Sequence, residues 1–270
     1  MKNESNTLFI PLYGKAIMSQ EGFLSDPTAE SIVKNEPDRF KHVDTSKRLA
    51  IYMAMRARQF DTMTECFLRH NPGAIVIHTG CGLDARCRRV ETKPAMWYDL
   101  DFPDVIALRK RYFKETSTYR MLPFSVTDPT WMDAVSYEGQ PILIIAEGLT
   151  MYLTEAELQA LFRSIRSRFK RALFLFDAYS NTAAKISKFR NPVNAMKAKV
   201  TFGMTNPSCF ENPSEGICCV CDRDIILPKY INKLEGMYHY RFRLMRHLGA
   251  DLYRIYGYEF CDHQKRRRIT

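Results

Sequence analysis

Ala74-Ile75-Val76-Ile77-His78-Thr79-Gly80-Cys81-Gly82-Leu83-Asp84-Ala85 is the stretch that decides the fold. It starts as a short apolar, β-branched run and ends in a glycine turn, the pattern of a buried strand feeding a loop. Asn71-Pro72-Gly73 breaks it from the preceding residues, which read as helical. Within 1–70, Ser25-Asp26-Pro27-Thr28 marks a helix start with proline in the first turn, and Arg48 to Leu68 holds strong helix formers with no Gly or Pro.

Downstream the pattern alternates. A helix is predicted over Leu83–Val90, a strand over Ala95–Asp101, a helix over Pro103–Glu115 and a strand over Tyr119–Val126. A short helix at Trp131–Val135 precedes the most apolar strand, Ile142–Glu147. Thr154 and Glu157 form a capping box at the start of a helix running to Arg168, and Ala172–Asp177 is the fifth strand. Strands alternating with helices imply an α/β fold with a parallel, doubly wound sheet and helices on both faces. Residues 181–230 are less regular. Tyr230–Leu248 reads as helix and Leu252–Phe260 as a late strand, paired antiparallel. Cys218-Cys219-Val220-Cys221 has one Cys-x-x-Cys and no second pair at zinc spacing. It is expected to be an alternating strand that buries Cys219 and Cys221, with no metal.

A chain of 270 residues buries roughly 75% of its unfolded surface and needs no staples. Its ordinary composition excludes collagen-like, disordered and coiled-coil classes. No apolar run approaches the roughly 18 residues of a membrane span, the start does not read as a signal peptide, and the eight cysteines fit buried thiols. A cytosolic protein is therefore expected. The net charge is +10, but the basic residues are spread out and form a run only at Lys265-Arg266-Arg267-Arg268. No nucleic-acid and no membrane partner is expected. The chain reads as one domain over 1–270: a helical cap (1–70), a cofactor-binding core (71–180), and a lid with C-terminal strands and helix (181–270).

Ligands of open α/β sheets sit at the carboxyl ends of the strands. There, Gly80-Cys81-Gly82-Leu83-Asp84-Ala85 matches Gly-x-Gly-x-x-Gly/Ala, and Asp101 lies 21 residues past Gly80. The glycines let backbone approach a nucleoside ligand, and the carboxylate accepts from ribose hydroxyls. NAD-binding domains and S-adenosylmethionine (SAM) methyltransferases share this pattern. Three features favour SAM: the glycine turn follows some 70 helical residues, it continues Leu83-Asp84-Ala85-Arg86, and Glu147 ends the fourth strand, where a carboxylate suits a sulfonium and an α-ammonium. An NAD(P)-dependent oxidoreductase is the alternative, and a SAM-binding homologue without turnover a third reading.

Several short motifs in order then resemble the leucine carboxyl methyltransferase family, in particular its bacterial branch of tetracenomycin-type polyketide carboxyl methyltransferases. They are Leu12-Tyr13-Gly14-Lys15, Leu24-Ser25-Asp26-Pro27, Arg56-Ala57-Arg58-Gln59-Phe60-Asp61, Thr79 to Arg86, Trp97 to Pro103 and Ala146-Glu147-Gly148-Leu149-Thr150-Met151-Tyr152-Leu153. The resemblance covers about residues 10–180. It implies a seven-stranded, mostly parallel, Rossmann-like methyltransferase sheet, SAM as cofactor, and methyl transfer to a carboxylate, or else a hydroxyl, of a polyketide-like small molecule.

The resemblance also implies roles. Arg56 would pair with the SAM carboxylate and Lys15 would assist. Gly80, Cys81 and Gly82 would lie under the methionine portion, with Glu147 nearby. Asp101 would hold the ribose, and Ser125 and Val126 would flank the adenine. Many members carry Asp-Leu where this chain has Ser125-Val126, so Asp128 is the substitute expected to hold adenine N6. Cys81 replaces the usual Ala. Tyr152, Asp177 and Tyr179 sit at strand ends where an acceptor pocket would lie; Tyr152 would otherwise pack behind the loop after the fourth strand. His78 reads as a satisfied core histidine rather than a base. Phe9, Tyr13 and Phe23, with residues 181–215, would close over the pocket.

Overall fold

Five consecutive buried residues, Ile75–Thr79, form strand β1, which lies next to the central strand of a seven-stranded sheet. The computed structural model describes residues 8–41, 43, 45–187, 200–249 and 252–261. Four further strands run parallel to β1 or to its neighbours: β2 (Met96–Asp101), β3 (Tyr119–Pro123), β4 (Ile142–Ala146) and β5 (Arg171–Tyr179). Strands β6 (Ile217–Asp224) and β7 (Tyr253–Cys261) close the sheet antiparallel, in the order β3-β2-β1-β4-β5-β7-β6. The order reverses at β1, whose neighbours are β2 and β4, so their carboxyl ends frame a crevice.

Alternate side chains of the strands feed two cores. Ile75, Ile77, Ile142, Ile144, Phe174 and Phe176 meet Leu158, Leu161, Phe162 and Ile165 of α7 (Glu155–Arg168) on one face. Val76, Leu143, Ile145 and Leu175 meet the helices before β1 on the other. That is why β1 and β4 are apolar without alternation. The first seventy residues supply α1 (Phe9–Gln20), α2 (Pro27–Asn35), the single turn α3 (Pro37–Phe40) and α4 (Lys47–His70). Asp26 caps α2 by accepting from Ala29 N at 2.9 Å, and Ser46 caps α4. Both halves of the Thr154–Glu157 capping box form.

Several predicted elements are shorter than their patterns suggest. The helix expected over Leu83–Val90 is the single turn α5 (Arg86–Arg89). The guanidinium of Arg109 takes the carbonyls of Gly82 at 2.9 Å and Asp84 at 2.7 Å, and the Asp84 carboxylate takes Arg86 N, so these groups leave the helical ladder. Helix α6 (Pro103–Arg109) stops six residues early in 3₁₀-type turns. The third strand ends at Pro123 and the short helix is a 3₁₀ turn, Pro129–Ala134, capped by Asp128. The helix expected over Tyr230–Leu248 is two, α9 (Pro228–Ile231) and α10 (Gly236–Gly249), divided where Gly236 has φ +55°. Strand β6 bulges between Cys219 and Cys221. Alternation breaks there, so both thiols are half-buried rather than buried. Of the expected lid, 181–187 is α8 (Asn181–Ser187), and Pro207–Phe210 and Pro213–Glu215 are 3₁₀ turns. Residues 188–199 and the basic run 265–268 lie outside the described residues.

Candidate active site

At the crevice the chain must turn sharply between β1 and α5. Gly80 and Gly82 do this with φ +61° and +50°. A Cβ on Gly80 would also come within 3.1 Å of the Leu149 side chain. The turn's amides face Asp101 at the end of β2. Gly82 N donates to Asp101 Oδ2 at 2.8 Å and Phe102 N to Oδ1 at 2.8 Å. Burial nevertheless pushes the Asp101 carboxyl up to about 6, against the pull of those amides. The space above is a cleft of about 640 Å³.

Beneath its inner end lies a charged lattice. Glu147, the residue after β4, accepts from Arg56 Nε at 3.0 Å and from Arg86 Nη2. Burial would raise the Glu147 carboxyl, but Arg86 and then Arg56 outweigh it and hold it at about 2. Arg56 Nη1 reaches Tyr253 OH at 3.1 Å and Asp177 Oδ2 at 3.3 Å, and Tyr253 OH donates to Asp177 at 2.7 Å. Gly148 N donates to the other Asp177 oxygen. Burial raises the Asp177 carboxyl despite Arg56. Lys15 Nζ donates to Asp84 at 2.5 Å, and Arg89 spans Asp84, Asp61 and Asp26. Arg86 Nε bonds Asp61 at 2.7 Å. Four cations (Lys15, Arg56, Arg86, Arg89) thus meet five carboxylates (Asp26, Asp61, Asp84, Glu147, Asp177). The lattice carries an excess negative charge before any ligand enters.

The sequence-derived residues converge on this cleft. Lys15, Arg56, Gly80, Cys81, Gly82, Asp101, Ser125, Val126 and Glu147 all line it, as do Tyr152 and Tyr179. Arg56 differs from the simple picture of an open fork, because Nε and Nη1 are spent on Glu147, Tyr253 and Asp177. Only Nη2 has no partner among the described residues. Asp177 lies beneath the cleft, fully buried against Arg56, and not on its lining. Asp128 is exposed and caps the Pro129–Ala134 turn through Thr130, outside the lining. His78 is buried beside Trp97: Arg86 Nη1 lies 3.2 Å from Nε2, and Asp99 Oδ1 3.4 Å from Nδ1 without hydrogen-bond geometry. Burial lowers its pKa. Phe9 and Tyr13 of α1 pack on Phe40, and Phe23 on Tyr230.

Sequence reasoning missed Arg86, Arg109 and Tyr253. Arg86 stood inside a quoted motif, and its burial was the missing information. Tyr253 gave no local signal: it reaches Arg56 only because β7 pairs with β5 in the register Tyr179 opposite Tyr253. Among the described residues no group of three or more His, Cys, Asp or Glu is placed to hold a metal, and no helix is long and apolar enough to cross a membrane.

Comparison with known proteins gives the lineage. The family model for leucine carboxyl methyltransferase matches residues 10–166. The chain is 33% identical over 214 residues to the tetracenomycin polyketide synthesis O-methyltransferase TcmP of Streptomyces glaucescens, covering 78% of this chain and 79% of that one. It is 32% identical over 179 residues to the S-adenosyl-L-methionine-dependent methyltransferase dpfgK of Gibberella zeae, with 61% and 60% covered. Among solved structures, the plantazolicin methyltransferase BamL aligns with TM-score 0.51 at 10% identity, over 96% and 97% of the two chains. A methyltransferase fold from Thermobifida fusca aligns with TM-score 0.54 at 12% identity, over 87% and 88%. These two show the sheet architecture alone. The family and sequence matches decide against the oxidoreductase reading: the chain belongs to the leucine carboxyl methyltransferase family and is a SAM-dependent methyltransferase.

Proposed function

We propose that this protein methylates a carboxylate oxygen of a small, apolar, polyketide-like acid. The observation that carries the reading is that every acid group that the described residues place at the cleft is already committed. Asp84 serves Lys15 and Arg89, Glu147 serves Arg56 and Arg86, Asp177 serves Arg56 and Tyr253, and Glu157 caps α7. Asp101 is held by two amides at the ribose position, and His78, which also lines the cleft, has Nε2 3.2 Å from Arg86 and Nδ1 only 3.4 Å from Asp99 without a hydrogen bond, so it is a buried histidine that is not fully satisfied. Among the described residues no free general base is left at the acceptor. A phenol with pKa near 10 needs one; a carboxylate with pKa near 4 is already ionised.

The residues fit the cofactor. Arg56 Nη2 is the open donor for its carboxylate, with Lys15 beside it. The Glu147 carboxylate on the cleft lining suits a sulfonium and an ammonium. Asp101 takes the ribose hydroxyls, the positive-φ turn at Gly80 and Gly82 clears space beneath the ligand with Cys81 between them, and Ser125 and Val126 border the adenine. SAM supplies an activated methyl group, so the protein's task is to orient two reactants and keep water out. Tyr152 and Tyr179 line the acceptor side. Asp177 acts through Arg56, holding the guanidinium so that Nη2 faces the cleft. Residues 1–70 act as a cap, with α1 forming one wall, over the 71–180 core.

Parallel thermal unfolding with S-adenosylhomocysteine, SAM and NAD tests the cofactor. Ligand at about 100 times Kd adds roughly 2.7 kcal/mol, and each kcal/mol is worth about 2–4 °C. A shift with the adenosyl ligands and none with NAD is expected. Turnover on matched aromatic acids and phenols then tests the acceptor: base-labile methyl esters support the reading, and exclusive methylation of phenols or no turnover overturns it.

A further inference from the structure

Met237, Tyr240, Leu244 and Leu248 of α10 are all exposed, and at 100° per residue they fall on one stripe. The opposite side anchors the helix through fully buried Phe242. Arg241, Arg243 and Arg246 are exposed on the same helix, which contains no acidic residue, and none forms an ion pair with a described residue. Four residues beyond Leu248, a reach of about 14 Å at most, stands Leu252, which is exposed and lines the mouth of the cleft with exposed Ile186. At the helix's other end, Lys47 lies over the Tyr238 ring at 5.6 Å, at the start of the same α4 whose Leu49 and Met53 line the cleft.

We propose that α10 rests on an anionic lipid surface, its apolar stripe at the acyl boundary and the arginines that flank the stripe, Arg241 and Arg243, among the headgroups. Charge selects this occupant. A second copy docked by a twofold would set arginines against arginines, and the whole chain carries +10. Position selects a bilayer over an acidic protein: whatever covers the stripe lies at the cleft mouth, and a bilayer holds dissolved apolar acceptor where a docked protein would close the entrance. This last step rests on the proposed acceptor class, whereas lipid binding is measured without it. The sequence reading expected no membrane partner because it looked for a span, and a surface helix leaves no such run.

Flotation of the full chain with phosphatidylcholine vesicles and with phosphatidylcholine–phosphatidylglycerol vesicles (three to one) tests it. Binding to the anionic vesicles is expected, at least about tenfold weaker to neutral ones and weaker in salt. Leu244→Glu with Leu248→Glu should lower anionic-vesicle binding at least about tenfold while melting and the S-adenosylhomocysteine shift stay unchanged. Should that variant melt early, Arg241→Gln with Arg243→Gln is read instead, with the same loss expected. No binding to anionic vesicles, or undiminished binding of the variants, overturns the proposal. So does a concentration-dependent dimer that the variants abolish.

Discussion

At the inner end of the cleft, Arg56 and Glu147 have side chains 5% and 4% exposed, and each has at least two polar partners in the protein. At the mouth, Ile186 and Leu252 stand 59% and 48% exposed and carry no charge. One end is a finished lattice of hydrogen-bonded ions. The other is an apolar rim whose surface awaits a partner. On the proposed function the difference separates the constant reactant from the variable one: a cofactor with fixed charges would meet prebuilt counter-charges, and an acceptor would be selected by shape and apolar surface. Disturbing the inner end should therefore cost stability and cofactor binding together, and disturbing the mouth should cost neither.

The largest effect is expected at Arg86. Replacing it with Met leaves Glu147 and Asp61 without a shared cation, and breaking such a buried pair costs about 3–5 kcal/mol, or roughly 10 °C in Tm. Adding Glu147→Gln to that variant should recover part of the loss, because the stranded charge is then gone; calorimetry of the four proteins reads the coupling. Additive losses would show that the lattice is not one unit. Arg56→Lys comes next. The single nitrogen of Lys cannot reach Glu147, Tyr253 and the cleft at once as the three nitrogens of the planar fork do, so S-adenosylhomocysteine should bind about 10–100-fold more weakly by titration calorimetry. Unchanged affinity would move the cofactor carboxylate away from Nη2.

Acidification separates stability from binding within the inner end. Glu147 is held at about 2, below its ordinary 4.5, so its contribution to stability is present above about pH 4.5 and is lost as pH falls from there toward 2. Asp101 is raised to about 6 from 3.8, so its charge opposes folding above about pH 6, and that penalty fades as pH falls toward 3.8. Between pH 7 and 5, neither group should lower Tm. Cofactor affinity should nevertheless weaken, by about tenfold at pH 5, because the carboxylate proposed to accept from the ribose is being protonated. Asp101→Asn should bind weakly at every pH and lose the slope. A slope that survives in that variant belongs to another group.

How much of this could be read from the chain follows from distance along it. Asp101, Gly80 and Glu147 each end a strand, and a parallel sheet brings strand ends to one edge, so their meeting was legible from local patterns. The loop after Gly82 was not. Its residues are good helix formers, and only Arg109, twenty-seven positions on, diverts the carbonyl of Gly82. Likewise Cys219 and Cys221 alternate in sequence, but a bulge against β7 cancels the alternation. Tyr253 lies 197 residues from the arginine it bonds, and Arg86 is an ordinary helical arginine until the fold buries it. Signals carried by period and turn chemistry survived, and those that depend on register between distant strands did not.

The mouth should give the smallest effects, and there the sign matters more than the size. Tyr179 packs at a tilt against Tyr253, with ring centroids 4.3 Å apart, and lines the cleft on the side proposed for the acceptor. Tyr179→Phe keeps that ring and removes only the hydroxyl. With a carboxylate acceptor no proton has to move, so kcat should stay within about twofold and KM should rise a few-fold at most, the worth of one exposed hydrogen bond. With a phenolic acceptor, a hydroxyl that took part in proton transfer would cost about 10²–10⁴-fold in kcat. Ile186→Ser, further out, should raise KM for apolar acids and leave both Tm and cofactor affinity unchanged. A fall in Tm matching that of the Arg86 variant would mean that the rim is part of the core, and the two ends of the cleft would then be one structure rather than two.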